Sequence, residues 1–368
     1  MKKILIVTSV STTLALILKD QPSYLSNYFD VSTASGHDPL CDHLISDART
    51  THYFLPIRRK FSPLNDVFAI LGMIILIKQL KINIIHSYTP KAGLISSIGG
   101  FLSKVPVRIH TFTGLHFPYT SSPVKYLYLI HDWLICRFAT TVLAESKGVS
   151  RDLYSARLLN NPPRVLGNGS IVGVDCEHFS PYITTLRNDY QSSHDTPLKF
   201  IYCGRVHKDK GIHDLLRVFT SHLINSSLTI IGPNESDLDF TKEPFCSNQK
   251  ITYLGMQQDV RPYLLDSDVF ILPSYREGFP NVLLEASSME LPIVSSAVSG
   301  AEDLITNDYN GWLFSPRDID KMFQLIQRIE TIPRMRLKQM GKNARKRVLE
   351  LYNQQSVRSH LISFYSLF

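Results

Sequence analysis

Four residues in the second half of the chain have the types and spacing to handle an anion and a polyol together. Arg205 and Lys210 lie in Gly204-Arg205-Val206-His207-Lys208-Asp209-Lys210-Gly211, which follows an apolar run and leads into a helical pattern. Two cations beside a helix N-terminus can hold a diphosphate. The free N–H groups and helix dipole favour anions, and a guanidinium binds two oxygens at once. A solvated basic loop would look the same from this segment alone. A second segment narrows the choice. Residues 268–286 read DVFILPSYREGFPNVLLEA, with Glu277 and Glu285 standing seven residues apart. Glu277 falls in a loop and Glu285 about one turn inside a helix that starts near Pro280, with the amides of Asn281 and Val282 between them. Carboxylates accept hydrogen bonds from vicinal hydroxyls. The arrangement suits a sugar nucleotide, with Glu277 on the sugar, the helix end on the diphosphate and Glu285 on the ribose.

The elements needed to position these groups are legible. Apolar β-rich runs at 3–8, 82–86, 107–112 and 141–144 alternate with helical patterns such as 65–80 and 122–138. Strands joined by crossover helices imply a parallel α/β sheet. After a polar stretch the pattern restarts at Lys199-Phe200-Ile201-Tyr202-Cys203 and continues with strands at 227–231, 250–254, 268–272 and 292–295. The expectation is two Rossmann-like units, with ligands at the carboxyl ends of the strands. No GxGxxG follows a strand, which argues against a nicotinamide enzyme.

Composition bounds the rest. The chain has 368 residues, 44% hydrophobic and 19% charged, as expected for a folded globular protein. Five scattered cysteines without a CxxC fit neither a disulfide framework nor a zinc site and suggest a reducing compartment. Lys2 and Lys3 precede a short apolar run, but Thr8, Ser9 and Ser11 break it, so a buried strand fits better than a signal peptide. The apolar run 67–77 is shorter than the ~20 residues that cross a bilayer, so no transmembrane segment is expected. Residues 1–185 hold 18 basic and 11 acidic side chains, whereas 186–368 hold 21 of each. Aromatic-interleaved basic motifs are missing, which speaks against nucleic acid as a partner.

Taken together, GRVHKDKG, the stretch from Gly255 to Ile305 and NDYNGWLF resemble the retaining nucleotide-sugar glycosyltransferases of family 4, which have the GT-B fold. The family's Glu-x(7)-Glu signature with an internal Gly-Phe is matched by Glu277, Gly278, Phe279 and Glu285. Upstream, His86-Ser87-Tyr88-Thr89-Pro90-Lys91-Ala92-Gly93 and Val165-Leu166-Gly167-Asn168-Gly169-Ser170 resemble the branch that makes capsules and O-antigens. Three departures stand out. Thr113-Gly114 replaces a His-Gly pair, with His116 the only histidine nearby. Residues 8–13 read TSVSTT where relatives carry a glycine-rich loop. Glu290 occupies a turn where glycine is usual.

The resemblance implies an N-terminal acceptor-binding domain over 1–180 and a donor-binding domain over 181–340, with a C-terminal helix (about 341–368) returning to the first. Glu277, Arg205 and Lys210 would carry the chemistry. Gly204, Gly278, Phe279, Pro280, Asn281, Val282 and Glu285 would line the donor site, and His86, Lys91, Thr113, Gly114 and His116 the acceptor side. The leaving phosphate can take the acceptor's proton, so neither a protein base nor a metal cofactor is expected. The pairs Asp237/Asp239, Asp266/Asp268 and Asp318/Asp320 read as structural. The implied reaction moves a UDP-linked hexose or N-acetylhexosamine onto a polyprenyl-diphosphate-linked glycan. A nucleotide-sugar epimerase or hydrolase and a non-catalytic sugar-binding protein are the competing readings. Counting 341–368 with the first domain raises its charge to +11 and leaves −4 on 186–340. That charge suggests a cytoplasmic protein docked on an anionic membrane, through Arg58-Arg59-Lys60-Phe61 or the aromatic stretch Tyr119–Trp133.

Overall fold

A parallel strand covered on both faces buries side chains in both directions and is therefore apolar along its length. Lys3–Val7 (β1) follows this rule: Ile4, Leu5, Ile6 and Val7 are fully enclosed. The computed structural model describes all residues except 40, 46–48, 59–61, 121, 183–195 and 243–247. The chain divides into two units, Met1–Val172 with Gln355–Phe368, and Gly173–Gln354.

In the first unit β1 is joined by β2 (Asp30–Ser35), β3 (Thr51–Phe54), β4 (Ile84–Ser87), β5 (Val107–Phe112), β6 (Thr141–Ala144) and β7 (Arg164–Val165). Among the described residues these form one parallel sheet in the order β3-β2-β1-β4-β5-β6-β7. The order reverses between β1 and β4, the switch point where ligands bind in open α/β sheets. Helices α1 (Gln21–Leu25), α2 (Pro63–Leu80), α3 (Pro90–Leu102), α4 (Val124–Phe138) and α5 (Lys147–Ser155) make the crossovers. Ser146 caps α5 by accepting from the Val149 amide at 3.2 Å. Helix α3 lies between α2 and α4.

The second unit repeats the plan with β8 (Lys199–Cys203), β9 (Ser227–Ile231), β10 (Ile251–Tyr253), β11 (Val269–Leu272), β12 (Ile293–Ser296) and β13 (Gly311–Phe314). Their order among the described residues is β10-β9-β8-β11-β12-β13, again parallel, with the switch between β8 and β11. Its helices are α6 (Ile212–Phe219), α7 (Arg261–Leu265), α8 (Asn281–Ser288), α9 (Ser299–Leu304), α10 (Ile319–Glu330) and α11 (Arg334–Leu351). Ile212, Leu215, Leu216 and Phe219 recur at helical spacing and form the buried stripe of α6.

The chain changes unit at 172/173 and again at 354/355, not at 180 and 341. Val174 and Phe179 belong to the core of the second unit, and the Val174 amide donates to Tyr352 O at 3.0 Å. Helix α11 also stays there, because Leu337, Met340 and Val348 enter the same core and Gly341 sits against Glu290 O with no space for a Cβ. Only α12 (Gln354–Ser366) returns, placing Leu361, Phe364 and Tyr365 among Ile4, Ile6 and Ile84. Lys342, Arg345, Lys346 and Arg347 therefore count with the second unit. The first unit carries 19 basic and 9 acidic side chains, a net +10, and the second a net −3.

The apolar run 67–77 is the middle of a longer element. Helix α2 has 18 residues and is long and apolar enough, by length and composition, to cross a membrane. Its inner face is committed to the domain core through Ala69, Met73, Leu76 and Ile77.

Candidate active site

Both loops that carry the predicted donor residues leave the switch point of the second sheet. The first leaves β8. Gly204 has little space for a side chain, since a Cβ there would stand 3.0 Å from the Tyr202 hydroxyl. That hydroxyl donates to Arg205 O at 2.7 Å and fixes the backbone where the guanidinium departs. Arg205 pairs with Glu235 at 2.7 Å and faces Asp209 at 3.8 Å. Burial works against the charge of Arg205, but the Glu235 hydrogen bond prevails and raises its pKa. Lys210 ends a short helical turn, and Gly211 then adopts φ +69°, where its Cβ position would meet Pro273 O at 2.1 Å. Only glycine satisfies both demands.

The second loop leaves β11. Lys210 Nζ reaches across to Glu277 Oε1 at 2.5 Å, and both side chains are more than four-fifths covered. The sequence motifs lie 67 residues apart, and the fold joins them in one ion pair. Beyond Glu277, Gly278 is buried and α8 begins at Asn281 with no side chain capping it. Asn281 Oδ1 is buried and has no hydrogen-bond partner. Glu285, one turn inside α8, lies close enough to Cys203 that its charge adds to burial in raising the thiol pKa well above normal.

Two donor assignments change in kind. Phe279 is 5% exposed and packs on Tyr352 with ring centres 5.1 Å apart, so its side chain belongs to the core. Pro280 is also buried. What this turn can offer a ligand is its main chain. Gly300, at the start of α9, allows the approach: a Cβ there would lie 2.5 Å from Phe279 Cα and 2.7 Å from Gly278 O. Glu290 takes the left-handed turn itself at φ +62° and is held by Tyr182, whose hydroxyl donates to it at 2.5 Å.

Asp209 and Arg276 join the site without standing out in the sequence. Asp209 bonds His207 at 2.5 Å and faces Arg205 and Arg276 at 3.8 and 3.6 Å. Burial opposes its ionisation, yet the His207 hydrogen bond and the nearby cations hold its carboxyl below the usual range. Its carbonyl accepts from the Tyr275 amide at 2.8 Å, tying the two loops together. The available signal was adjacency, since each residue neighbours a predicted one.

The acceptor-side residues of the first unit occupy a different setting. His86 is 1% exposed, with Nδ1 at 2.6 Å from the Tyr365 hydroxyl and Nε2 at 2.7 Å from Thr111 Oγ1. Burial pushes its pKa down to about 3. It is a neutral, enclosed residue that lines a small cavity with Tyr88, Thr111, Glu145 and Ser170. Lys91 is nearly covered and paired with Asp66 of α2, so it locks two helices together. Thr113 donates to Tyr88 O at 3.0 Å, and Gly114 turns the chain at φ +120°. His116 stacks on Tyr128 at 4.9 Å. His110, read as a core residue, is 1% exposed, and His131 bonds Asp132 at 3.1 Å. Among the described residues no group of three or more His, Cys, Asp or Glu is placed to hold a metal.

The family described as "Glycosyl transferase 4-like" matches residues 3–146, and "Glycosyl transferases group 1" matches 185–347. A capsular polysaccharide biosynthesis glycosyltransferase, CapM of Staphylococcus aureus, is 31% identical over 86% of this chain and 85% of its own. The UDP-Gal:alpha-D-GlcNAc-diphosphoundecaprenol alpha-1,3-galactosyltransferase of Escherichia coli is 28% identical over 86% of this chain and 83% of its own. Among solved structures, Anabaena HepE in complex with UDP and glucose superposes with a TM-score of 0.81 at 17% identity, covering 100% of both chains. Sucrose-phosphate synthase from Thermosynechococcus elongatus gives a TM-score of 0.81 at 18% identity over 100% of this chain and 99% of that one. Two parallel Rossmann-like units, the two family matches and a relative 31% identical across most of both chains together establish that the protein belongs to the group 1, 4-like glycosyltransferases and is a glycosyltransferase with the GT-B fold.

Proposed function

We propose that this glycosyltransferase moves a hexose or N-acetylhexosamine from UDP, with retention of configuration, to a glycan carried on polyprenyl diphosphate. It would work at the inner face of the cytoplasmic membrane in surface-polysaccharide synthesis. The observation that carries the reading is the Lys210–Glu277 pair beside the uncapped start of α8. In the donor complex the diphosphate would draw Lys210, Arg205 and the helix end. Glu277 would be left to accept from sugar hydroxyls and Glu285 from the ribose. Gly204, Gly278, Asn281 and Val282 would supply close main-chain approach. The bond from the anomeric carbon to the diphosphate breaks as the bond to the acceptor oxygen forms. The acceptor's proton passes to an oxygen of the departing diphosphate. Negative charge grows on that diphosphate, so preorganised cations stabilise the transition state more than the ground state. No metal is needed for this step.

The choice of UDP and of a lipid-linked acceptor draws on the activity of the Escherichia coli relative. The Staphylococcus aureus relative supports the capsule setting. The test mixes purified protein with UDP-, GDP- and TDP-sugars and a lipid-linked acceptor, and follows nucleotide release and anomeric configuration by NMR. Acceptor-dependent release of UDP with a retained anomeric centre is expected. Release independent of acceptor would favour the hydrolase or epimerase reading. No turnover with any pair would remove the assignment of donor and acceptor.

A further inference from the structure

Helices α2 and α4 expose more apolar surface than their place in a soluble domain requires. On α2, Leu64, Val67, Phe68, Leu71 and Ile75 are all more than half exposed, with Leu64 at 80%. Their spacing puts them on one stripe, opposite the face formed by Ala69, Met73 and Ile77 that enters the core. On α4, Tyr126, Leu127, Ile130 and Trp133 form a second exposed stripe. The intervening α3 is mostly buried and ends in exposed Phe101 and Leu102. Isolated exposed apolar residues need no explanation, whereas two stripes on the helices that flank α3 mark an interaction surface.

Charge identifies the occupant. Between Asp47 and Glu145 the sequence contains eleven basic residues and only two acids, Asp66 and Asp132. Both acids are buried, Asp66 against Lys91 and Asp132 beside His131. Arg58 precedes α2, Lys78 and Lys81 close it, Lys104 follows α3 and Arg137 ends α4, and all five are exposed. An apolar stripe with cations at its ends and no exposed acid matches a bilayer interface, with acyl chains under the apolar residues and anionic headgroups at the rim. A protein partner would call for some exposed carboxylate or polar pattern on these helices to set specificity.

We infer that the exposed faces of α2 and α4 together form the surface by which the first unit docks on an anionic membrane. This deepens the proposed function, whose acceptor is lipid-linked, by naming the face that meets the lipid. The Arg58–Phe61 contact expected from sequence lies, apart from Arg58, outside the described residues. The α4 part of the Tyr119–Trp133 stretch is joined here by α2, which the sequence reading took only as a short apolar run.

The two tryptophans provide a readout independent of activity. Trp133 lies on the proposed surface at 49% exposure, and Trp312 is buried in the second unit at 2%. Mixed with phosphatidylcholine–phosphatidylglycerol vesicles, the wild-type chain should co-sediment, shift its emission to the blue and be quenched by brominated lipid. Pure phosphatidylcholine should give a weaker response. Phe68→Glu combined with Leu71→Glu should weaken vesicle partitioning by roughly tenfold or more. Turnover of a water-soluble acceptor analogue should be unchanged. Lys78→Glu with Lys81→Glu touches only the charged rim and carries the same test if the first variant does not fold. Wild-type protein that stays in the supernatant with both vesicles, or variants that bind as well as wild type, would overturn the inference. So would a wild-type dimer that Phe68→Glu/Leu71→Glu converts to monomer, which would make this face a contact between copies. Vesicle binding without any acceptor-dependent turnover would leave the surface standing and refute the acceptor assignment alone.

Discussion

Six strands of the first sheet repeat the order of the second, and the two switch points differ in what fills them. In the second unit the loops after β8 and β11 carry Lys210 and Glu277 as an ion pair, and α8 starts without a side-chain cap. In the first unit the matching loops after β1 and β4 are closed on each other. The Ser9 amide donates to Thr89 Oγ1 at 2.6 Å, and Ser9 Oγ accepts from the Ala92 amide at 3.1 Å, which occupies the first turn of α3. The neighbouring strand interior is filled by neutral His86, Tyr88, Thr111 and Tyr365. A helix N-terminus binds an anion only while its amides are free. Topology supplies two candidate phosphate sites, and side chains leave one of them open. Ser9, in the hydroxyl-bearing loop 8–13, is the side chain that occupies the first.

The largest expected effect comes from emptying the open site. Lys210→Ala should lower kcat by about 10²–10³-fold, the usual cost of removing one preorganised charge at a developing anion. Glu277→Gln should abolish transfer while nucleotide binding, followed by titration calorimetry, persists. The matching change in the first unit, Ser9→Ala, frees the Ala92 amide and should leave kcat within a factor of a few. Comparable losses in both units would mean that the two switch points are not functionally different.

Acid should separate the units next. His86 and His110 are pushed down to about 3 and His52 to about 4, in each case chiefly by burial. All three lie in the first unit. Unfolded, each titrates near 6.5, so below that pH the unfolded chain takes up protons that the folded domain refuses. Their contribution is complete above 6.5 and falls, by about 1.4 kcal/mol per pH unit for each of the enclosed His86 and His110 and by less for the partly exposed, solvent-screened His52, as the pH drops toward the folded value. Asp209 in the second unit is depressed below the usual carboxylate range, so its contribution is lost only at lower pH. Hydrogen exchange near pH 5 should therefore show β4 and β5 opening before β11 and β12. Simultaneous opening would remove this asymmetry.

What the sequence disclosed follows the same divide. The donor motifs are local: each cation or carboxylate sits within a few residues of a strand end, so strand, loop and helix patterns were enough to place it. Lys210 and Glu277 could be assigned to one site before their contact was known. His86 could not be placed, because its partner Tyr365 is 279 residues away on the one helix that returns. Lys91 points to Asp66 on another helix, a pairing that periodicity does not reveal. The strands that escaped notice show a further cause. β2 reads DVSTAS and buries Thr33 and Ser35, with Ser35 Oγ donating to Gly36 O at 2.9 Å. Internal hydrogen bonding lets such polar residues sit in a buried strand without the apolar run that announces β1. Helix α11 belongs to the second unit although its basic residues suggest surface charge, because Arg345 turns inward and donates to Phe179 O at 3.0 Å.

A smaller perturbation probes how finely the open site is shaped. Gly300→Ala introduces a Cβ where Phe279 Cα already stands 2.5 Å away, and the contact is with backbone. Overpacking of this kind costs roughly 1–3 kcal/mol. It should shift the Gly278–Phe279 turn, raise KM for the donor and lower Tm modestly, without touching vesicle binding by the first unit. An unchanged KM would show that the main chain of this turn does not meet the donor.

The smallest effect should come from chelation. The sequence offers three Asp-x-Asp pairs, the pattern most readily mistaken for a divalent-ion site. Asp266 bonds Lys199 at 2.8 Å, and Asp268 accepts from the Lys199 amide at 2.9 Å while holding Arg334 at 2.5 Å. Asp318 caps α10 by accepting from the Lys321 amide at 2.9 Å. Asp239 accepts from the Thr241 amide and hydroxyl at 3.0 and 2.6 Å, and Asp237 faces Lys208 at 3.9 Å. Asp239, Asp266, Asp268 and Asp318 are thus engaged in holding a strand, a helix or a turn. At the switch point itself Glu277 is engaged by Lys210, and Asp209 faces Arg205 and Arg276, so the carboxylates there already have side-chain cations as partners. EDTA should therefore leave the transfer rate unchanged in an assay of UDP release. A loss restored by Mg²⁺ or Mn²⁺ would move the task of stabilising the departing diphosphate from these side chains to a metal, and the open switch point would need a different description.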